Sequence, residues 1–263
     1  MKIVKLISVA DLFTIVNALL GFTSIICLLR GKIDFAIVFI LFAILADGAD
    51  GFVARRFSKK WCLGDYLDIM ADTISFCVAP AILIFTLYYD SFRVFVILSC
   101  LIFVASGILR LARFCYLTEK PKAFPKILRN SQSEFLKCQE NRKTVFRNML
   151  GKVLCTFPSH LPESKSFVGL PAPGAALVIL LFSALKIHPV IITVFTIILS
   201  FLMISDIKYP KTRGKIAYIS GGIILIITFS MFFSFHPEII LPGALVFAIS
   251  YAFFSPLSMG KNR

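Results

Sequence analysis

Charge is scarce in this sequence: 16% of its 263 residues are Asp, Glu, Lys or Arg, against about 25% in soluble domains. An ordinary soluble domain is thereby excluded. With 58% hydrophobic residues and a mean hydropathy of +0.88, so is a disordered chain. Histidine occurs three times, as His160, His188 and His236, too far apart to share chemistry. The single tryptophan, Trp61, reads as an interfacial anchor. The seven cysteines are odd in number, scattered and without a C-x-x-C pair, so neither a disulfide framework nor a zinc site is implied. Acid is the scarcest class of charge, 14 residues against 28 basic ones. In a soluble protein the resulting +14 would point to nucleic acid. In a membrane protein it reads as loops facing anionic headgroups, and no nucleic-acid partner is expected.

What the chain has in abundance is long apolar runs. Breaking them at charges, Pro and Gly gives eight candidate spans, at about 11–29, 35–54, 65–88, 93–114, 169–185, 189–205, 215–234 and 238–256, each judged against a ~30 Å hydrocarbon core. The expected fold is an all-α polytopic transmembrane bundle forming one integral membrane domain over 1–263. An even number of spans puts both termini on one side. Lys2, Lys5, Arg55, Arg56, Lys59, Lys60, the basic 115–167 stretch, Lys208, Lys211, Arg213, Lys215, Lys261 and Arg263 all fall on that side. The opposite loops hold Arg30, Lys32, Arg93 and Lys186. By the positive-inside rule both termini are cytoplasmic. The first run carries Asp11 and Asn17 and lacks a small-residue cleavage site, so it is expected as a retained helix rather than a signal peptide.

The one soluble-looking stretch is 120–166, expected as a basic cytoplasmic insertion. Ten Lys or Arg stand there against Glu134, Glu140 and Glu163. Residues 133–153 fit either a basic amphipathic helix on an anionic membrane surface or a solvated loop.

The few acids are not spread evenly. Asp47, Asp50, Asp65, Asp68 and Asp72 lie within 26 positions. Asp47 and Asp50 end the second span, Asp68 and Asp72 begin the third, and spacings of three and four put each pair on one helix face. A short connection makes the two helices antiparallel neighbours, so four carboxylates converge on one small volume. Such charge must be paired or bound to metal, and oxygen ligands select hard cations: Mg²⁺ or Mn²⁺, with Ca²⁺ also admissible, and two ions for four acids. The bland alternative is interfacial salt bridging to Arg55, Arg56, Lys59, Lys60, Arg110 and Arg113. Gly48 and Gly51 beside the acids cost a helix about 1 kcal/mol each, which points to close approach of a bulky ligand or to tight helix packing.

The run Asp47-Gly48-Ala49-Asp50-Gly51-Phe52-Val53-Ala54-Arg55, followed by Gly64, Asp68 and Asp72, matches D-x2-D-G-x2-A-R-x8-G-x3-D-x3-D. This motif over 47–72 resembles that of the CDP-alcohol phosphotransferase family, membrane enzymes that move a substituted phosphoryl group from a CDP-linked donor to an alcohol and release CMP. Thr73–Ala81, Leu109–Phe114 and Gly169–Ala175 are similar to stretches of the serine-using branch, and Met203–Lys211 resembles its archaeal members. Cys77 departs from the pattern, standing where relatives commonly have Gly.

The resemblance implies phospholipid synthesis: transfer from CDP-diacylglycerol or CDP-archaeol to L-serine, in the cell membrane, with the site facing the cytoplasm. It makes Asp47, Asp50, Asp68 and Asp72 metal ligands, and Asp72 the general base as well. Thr14, Asn17, Gly51, Arg55 and Gly64 would contact the CDP-lipid. Arg110 and Arg113 would recognise the serine carboxylate or the lipid phosphate. A homodimer among membrane lipids is expected too. Competing readings are another acceptor, such as glycerol phosphate or inositol phosphate, and a cation transporter. Against the transporter, the acids lie at helix ends rather than mid-span, and the sequence has no inverted second set of them.

Overall fold

The computed structural model describes residues 9–57, 62–90, 92–118, 166–210, 215–233 and 237–260. The chain divides into two units, one of Met1–Cys115 with Ser166–Arg263 and one of Tyr116–Lys165. Apart from Ser166, the expected 120–166 insertion lies outside the described residues.

The described residues are nearly all helical. The helices are α1 (Val9–Leu29), α2 (Ile33–Phe57), α3 (Cys62–Asp72), α4 (Ala79–Tyr88), α5 (Arg93–Thr118), α6 (Ala172–Ala184), α7 (Pro189–Ile204), α8 (Lys215–Phe233) and α9 (Pro237–Gly260). A π-helical stretch, Thr73–Val78, joins α3 to α4 without a break. Among the described residues, three segments, Asp11–Leu29, Tyr66–Tyr88 and Arg93–Phe114, are long and apolar enough to cross a membrane.

Sequence explains the joints. α1 closes on Gly31 at φ +71°, with Gly31 N–H bonded to Leu28 O and Lys32 N–H to Cys27 O, the paired closure that a left-handed residue permits. The π stretch ends just before Pro80, whose ring would crowd the carbonyl of the preceding turn and which lacks an N–H. Widening there is visible in the Ala79 N–H bond to Ile74 O, five residues back. Because it starts at Thr73, the widening re-aims the helix directly after Asp72.

One helix begins three residues later than its apolar run. The 169–185 run is helical only from Ala172 to Ala184. Gly169 takes φ +80°, and Pro171 is extended at ψ 137°, so the helix cannot start earlier. The preceding residues form β1 (Ser166–Val168), paired antiparallel with β2 (Lys208–Pro210) in the register Phe167 to Tyr209. Gly169 has no room for a side chain, because a Cβ there would collide with Met203 O.

α6 is the centre of the bundle. Nine of its residues are buried, from Ala172 to Ser183, as expected of a helix that is apolar all round. α1 packs along α2 and α3, and it is this packing that brings the polar residues of α1 to the acids. Hydroxyls inside helices bond back to their own turn, as with Thr193, Thr196 and Ser200 on α7, which satisfies them without water. The large apolar residues left exposed include Leu12, Leu19 and Phe22 on α1 and Phe95, Leu98 and Leu101 on α5, an apolar exterior suited to lipid.

Candidate active site

The C-terminal half of α2 and the second half of α3 bring Asp47, Asp68 and Asp72 together, with one carboxylate oxygen from each within 4.8 Å of the others. Asp72 is buried, and Asp47 and Asp68 are half-buried. Asp50, Gly51 and Arg55 lie on α2, but their side chains fall outside the described residues.

Hard oxygen donors at this spacing fit a divalent cation. Octahedral ligands at about 2.1 Å from an ion stand about 3–4 Å apart, within a small rotamer adjustment of what the three acids offer. Without a cation, three carboxylates this close repel one another.

α1 closes the site. Thr14 is buried and Asn17 is fully buried. Asn17 Nδ2 donates to Asp72 Oδ1 at 3.3 Å, and Asn17 Oδ1 has no hydrogen-bond partner among the described residues. Ser75 Oγ on the π stretch donates to the Asn17 main-chain oxygen at 2.9 Å. Gly21, one turn further along α1, meets Ser75 so closely that a Cβ would overlap Ser75 Oγ. Gly64 faces α1 as well: a Cβ there would lie 2.6 Å from Asp11 Oδ1. Asp11 is itself 6% exposed, making it a further carboxylate beside the motif. An acid inside an apolar run, as Asp11 is, is a functional signal in its own right.

The two arginines of α5 part company. Arg110 is 8% exposed and lies under the charge of Asp72 first, then of Asp47 and Asp68. Arg113 turns the other way, donating to Ile204 O at 3.1 Å and pairing with Asp206. Arg113 thus clasps α5 to the end of α7. Asp206, missed in the sequence because it reads as an isolated loop acid, is the other half of that clasp. Cys77 also finds its explanation on α5, where Gly107 opposes it and a Cβ at Gly107 would overlap Cys77 Sγ.

Tyr209 on β2 is wholly buried and donates to Ala252 O at 2.9 Å. Burial, and to a lesser degree the neighbouring Tyr251, push its phenol up to about 12, so it remains a neutral donor throughout the physiological range.

The description CDP-alcohol phosphatidyltransferase belongs to the family whose profile matches residues 7–133. The chain is 33% identical over 216 residues to the archaetidylserine synthase of Methanothermobacter thermautotrophicus, covering 81% of this chain and 74% of that protein. It is 30% identical over 212 residues to a CDP-diacylglycerol–serine O-phosphatidyltransferase of Methanocaldococcus jannaschii, covering 81% and 78%. A protein of that same name in Bacillus subtilis is 29% identical over 210 residues, covering 78% of this chain and 92% of its own length.

Proposed function

Because the chain belongs to the CDP-alcohol phosphatidyltransferase family, we propose that it makes a serine phospholipid, transferring the phosphatidyl or archaetidyl group of a CDP-linked lipid to the hydroxyl of L-serine and releasing CMP. The convergence of Asp47, Asp68 and Asp72, with the buried Arg110 in their field, carries this reading. Anionic phosphates need cations, and an amino-acid acceptor needs both signs of charge close to the reacting hydroxyl. The names of the relatives, all serine transferases, select serine over glycerol phosphate and inositol phosphate.

In this reading Asp47, Asp50, Asp68 and Asp72 hold two divalent ions, Mg²⁺ or Mn²⁺. When bound, these supply charge neutralisation on the diphosphate and polarisation of the attacking hydroxyl. Asp72 takes the serine hydroxyl proton as the serine O–P bond forms, and CMP departs with the electrons of the broken P–O bond. A carboxylate is a weak base, with a pKa near 4, so placement against the hydroxyl supplies much of the advantage. Asn17 holds Asp72 in place. Thr14, Gly51, Arg55 and Gly64 receive the CDP moiety, with Arg55 suited to a diphosphate by its planar fork of donors. Arg110 binds an anionic group of the substrates, and Arg113 supports the end of its helix.

The same reading sets eight spans in the cell membrane with both termini and the site on the cytoplasmic side, places the basic 120–166 insertion on that side too, and makes the protein a homodimer. The test is CMP release by purified protein in detergent with a CDP-linked lipid and Mn²⁺ or Mg²⁺, comparing L-serine, glycerol 3-phosphate and inositol 1-phosphate. Serine-dependent release that Asp68→Asn abolishes supports the assignment. Release with a different acceptor retains the family and discards serine, and metal binding with no release from any acceptor turns the assignment towards ion transport.

A further inference from the structure

Asn17 on α1 has no exposed surface, and only one end of its amide is satisfied. Nδ2 donates to Asp72 Oδ1 at 3.3 Å, whereas Oδ1 has no hydrogen-bond partner among the described residues. A buried acceptor left unpaired is unfavourable, so this oxygen suits a position whose partner arrives with a ligand.

The bond to Asp72 limits how far that oxygen can lie from the acids. The two ends of an amide stand about 2.3 Å apart, which puts Oδ1 no more than about 5.6 Å from Asp72 Oδ1. The carboxylate oxygens of Asp47, Asp68 and Asp72 lie within 4.8 Å of one another, so the amide oxygen belongs to the same small volume. The Cβ–Cγ torsion of Asn is broad, and a modest turn brings Oδ1 to the separation of about 3–4 Å that ligands of one octahedral ion keep. The backbone beneath it is braced. Ser75 Oγ donates to the Asn17 main-chain oxygen at 2.9 Å, and Gly21 lets Ser75 close against α1. The side chain is therefore presented by a packed helix rather than a free loop. Hard divalent cations accept neutral amide oxygens beside carboxylates, and a neutral ligand adds nothing to the repulsion among the three acids. A donor group on a substrate would satisfy the same oxygen, but the bond to an acid of the cluster favours the cation.

We propose that Asn17 Oδ1 is a further ligand of the divalent cation, a neutral donor from α1 that joins the carboxylates of α2 and α3. Cation binding then ties the first helix to the acid motif. The proposal rests on the metal site of the reading above.

The experiment titrates Mn²⁺ into metal-stripped, full-length protein in detergent and follows the electron paramagnetic resonance signal of the free ion. Wild type, Asn17→Leu and Asn17→Cys are compared, and wild type and the cysteine variant are titrated with Cd²⁺ as well. Even residues that only orient a ligand change metal affinity by about 10- to 100-fold, so Asn17→Leu should weaken Mn²⁺ binding about tenfold or more. In Asn17→Cys the hard ion should weaken too, while the soft thiolate restores Cd²⁺ binding. A thiolate-to-cadmium ultraviolet absorption should accompany it, above any that the seven native cysteines give the wild type. The ratio of Cd²⁺ to Mn²⁺ affinity within one preparation does not depend on how much of it is folded. Unaltered Mn²⁺ affinity in Asn17→Leu overturns the proposal and assigns the free oxygen to a substrate donor. Weakened Mn²⁺ binding without cadmium rescue or absorption overturns it too, leaving Asn17 to act through Asp72 alone. Wild-type protein that binds no Mn²⁺ overturns the proposal and the metal site together. The titration needs no substrate, so its outcome is separate from whether L-serine drives CMP release.

Discussion

Asn17 Nδ2 donates to Asp72 Oδ1 across 55 residues of sequence, joining the first helix to the last acid of the motif. The bond fixes the carboxylate that the proposed mechanism uses as base. Asn17→Leu keeps the volume and removes the donor. Hydrogen bonds to charged groups contribute about 1.5–3 kcal/mol, so kcat should fall about 10- to 100-fold. Ser75→Ala loses only a bond to the Asn17 main chain and should lower kcat far less. Initial rates for the two variants decide the matter: equal losses would mean that Asn17 matters only through packing.

The three clustered carboxylates make opposite predictions with and without metal. In the absence of divalent cations, Asp68→Asn removes one repelling charge and should raise the apparent melting temperature. With Mn²⁺ at 100 times its dissociation constant the wild-type protein should gain about 2.7 kcal/mol, and the variant should lose most of that gain. Thermal unfolding in detergent with EDTA and with Mn²⁺ measures both arms. A wild-type protein indifferent to Mn²⁺ would remove the metal from the account.

The expected apolar runs fall largely on described helices, and the acid motif was legible because its spacings of three and four are helical periods. Three things were hidden. The family resemblance gives Arg110 and Arg113 a common role; in the structure Arg110 lies in the field of the acids while Arg113 bonds to the end of α7, a difference of tertiary packing. Hydropathy alone does not set the start of α6, because it does not register that Gly169 and Pro171 forbid a helix there. The Gly21 contact with Ser75 carried no local signal at all, because a glycine in an apolar run has many uses.

Gly48 and Gly21 should respond oppositely to alanine. A Cβ on Gly48 meets nothing among the described residues within 4 Å, so none of them requires a glycine here. Gly48→Ala should add about 0.5–1 kcal/mol of helix stability, yet raise the KM for CDP-lipid if the open space receives the substrate. Gly21→Ala instead forces α1 away from Ser75 and should cost about 1–3 kcal/mol. Melting temperatures and CDP-lipid KM values for the two variants test the contrast. A stabilised Gly48→Ala enzyme with a wild-type KM would show that the ligand does not approach there.

Arg110 and Arg113 should separate in the same way. Arg110→Lys keeps the charge but loses the planar fork, so substrate KM should rise severalfold with little change in melting temperature. Arg113→Ala removes the bond to Ile204 O and the Asp206 pair, and should act mainly on stability. Asp206→Ala alone should cost no more than about 1 kcal/mol, because that acid is largely exposed and the pair is screened. Matching KM effects at both arginines would contradict the division of labour.

Tyr209 makes an alkaline prediction. Its phenol titrates at about 12 when folded, against 10.0 for an unperturbed tyrosine, so the folded state holds this proton more tightly than the unfolded state does. Below pH 10 both states are protonated and the stabilisation is complete. It is lost as pH rises from about 10 towards about 12, where unfolding releases the proton and the hydrogen bond to Ala252 O is given up. Tyr209→Phe lacks the group and the bond. It should be less stable than wild type at pH 8 by about 1 kcal/mol, with the gap narrowing as pH climbs above 10. Melting curves of both proteins between pH 8 and 11.5 test this, and a gap that stays constant across the range would mean that Tyr209 is not held neutral by its burial.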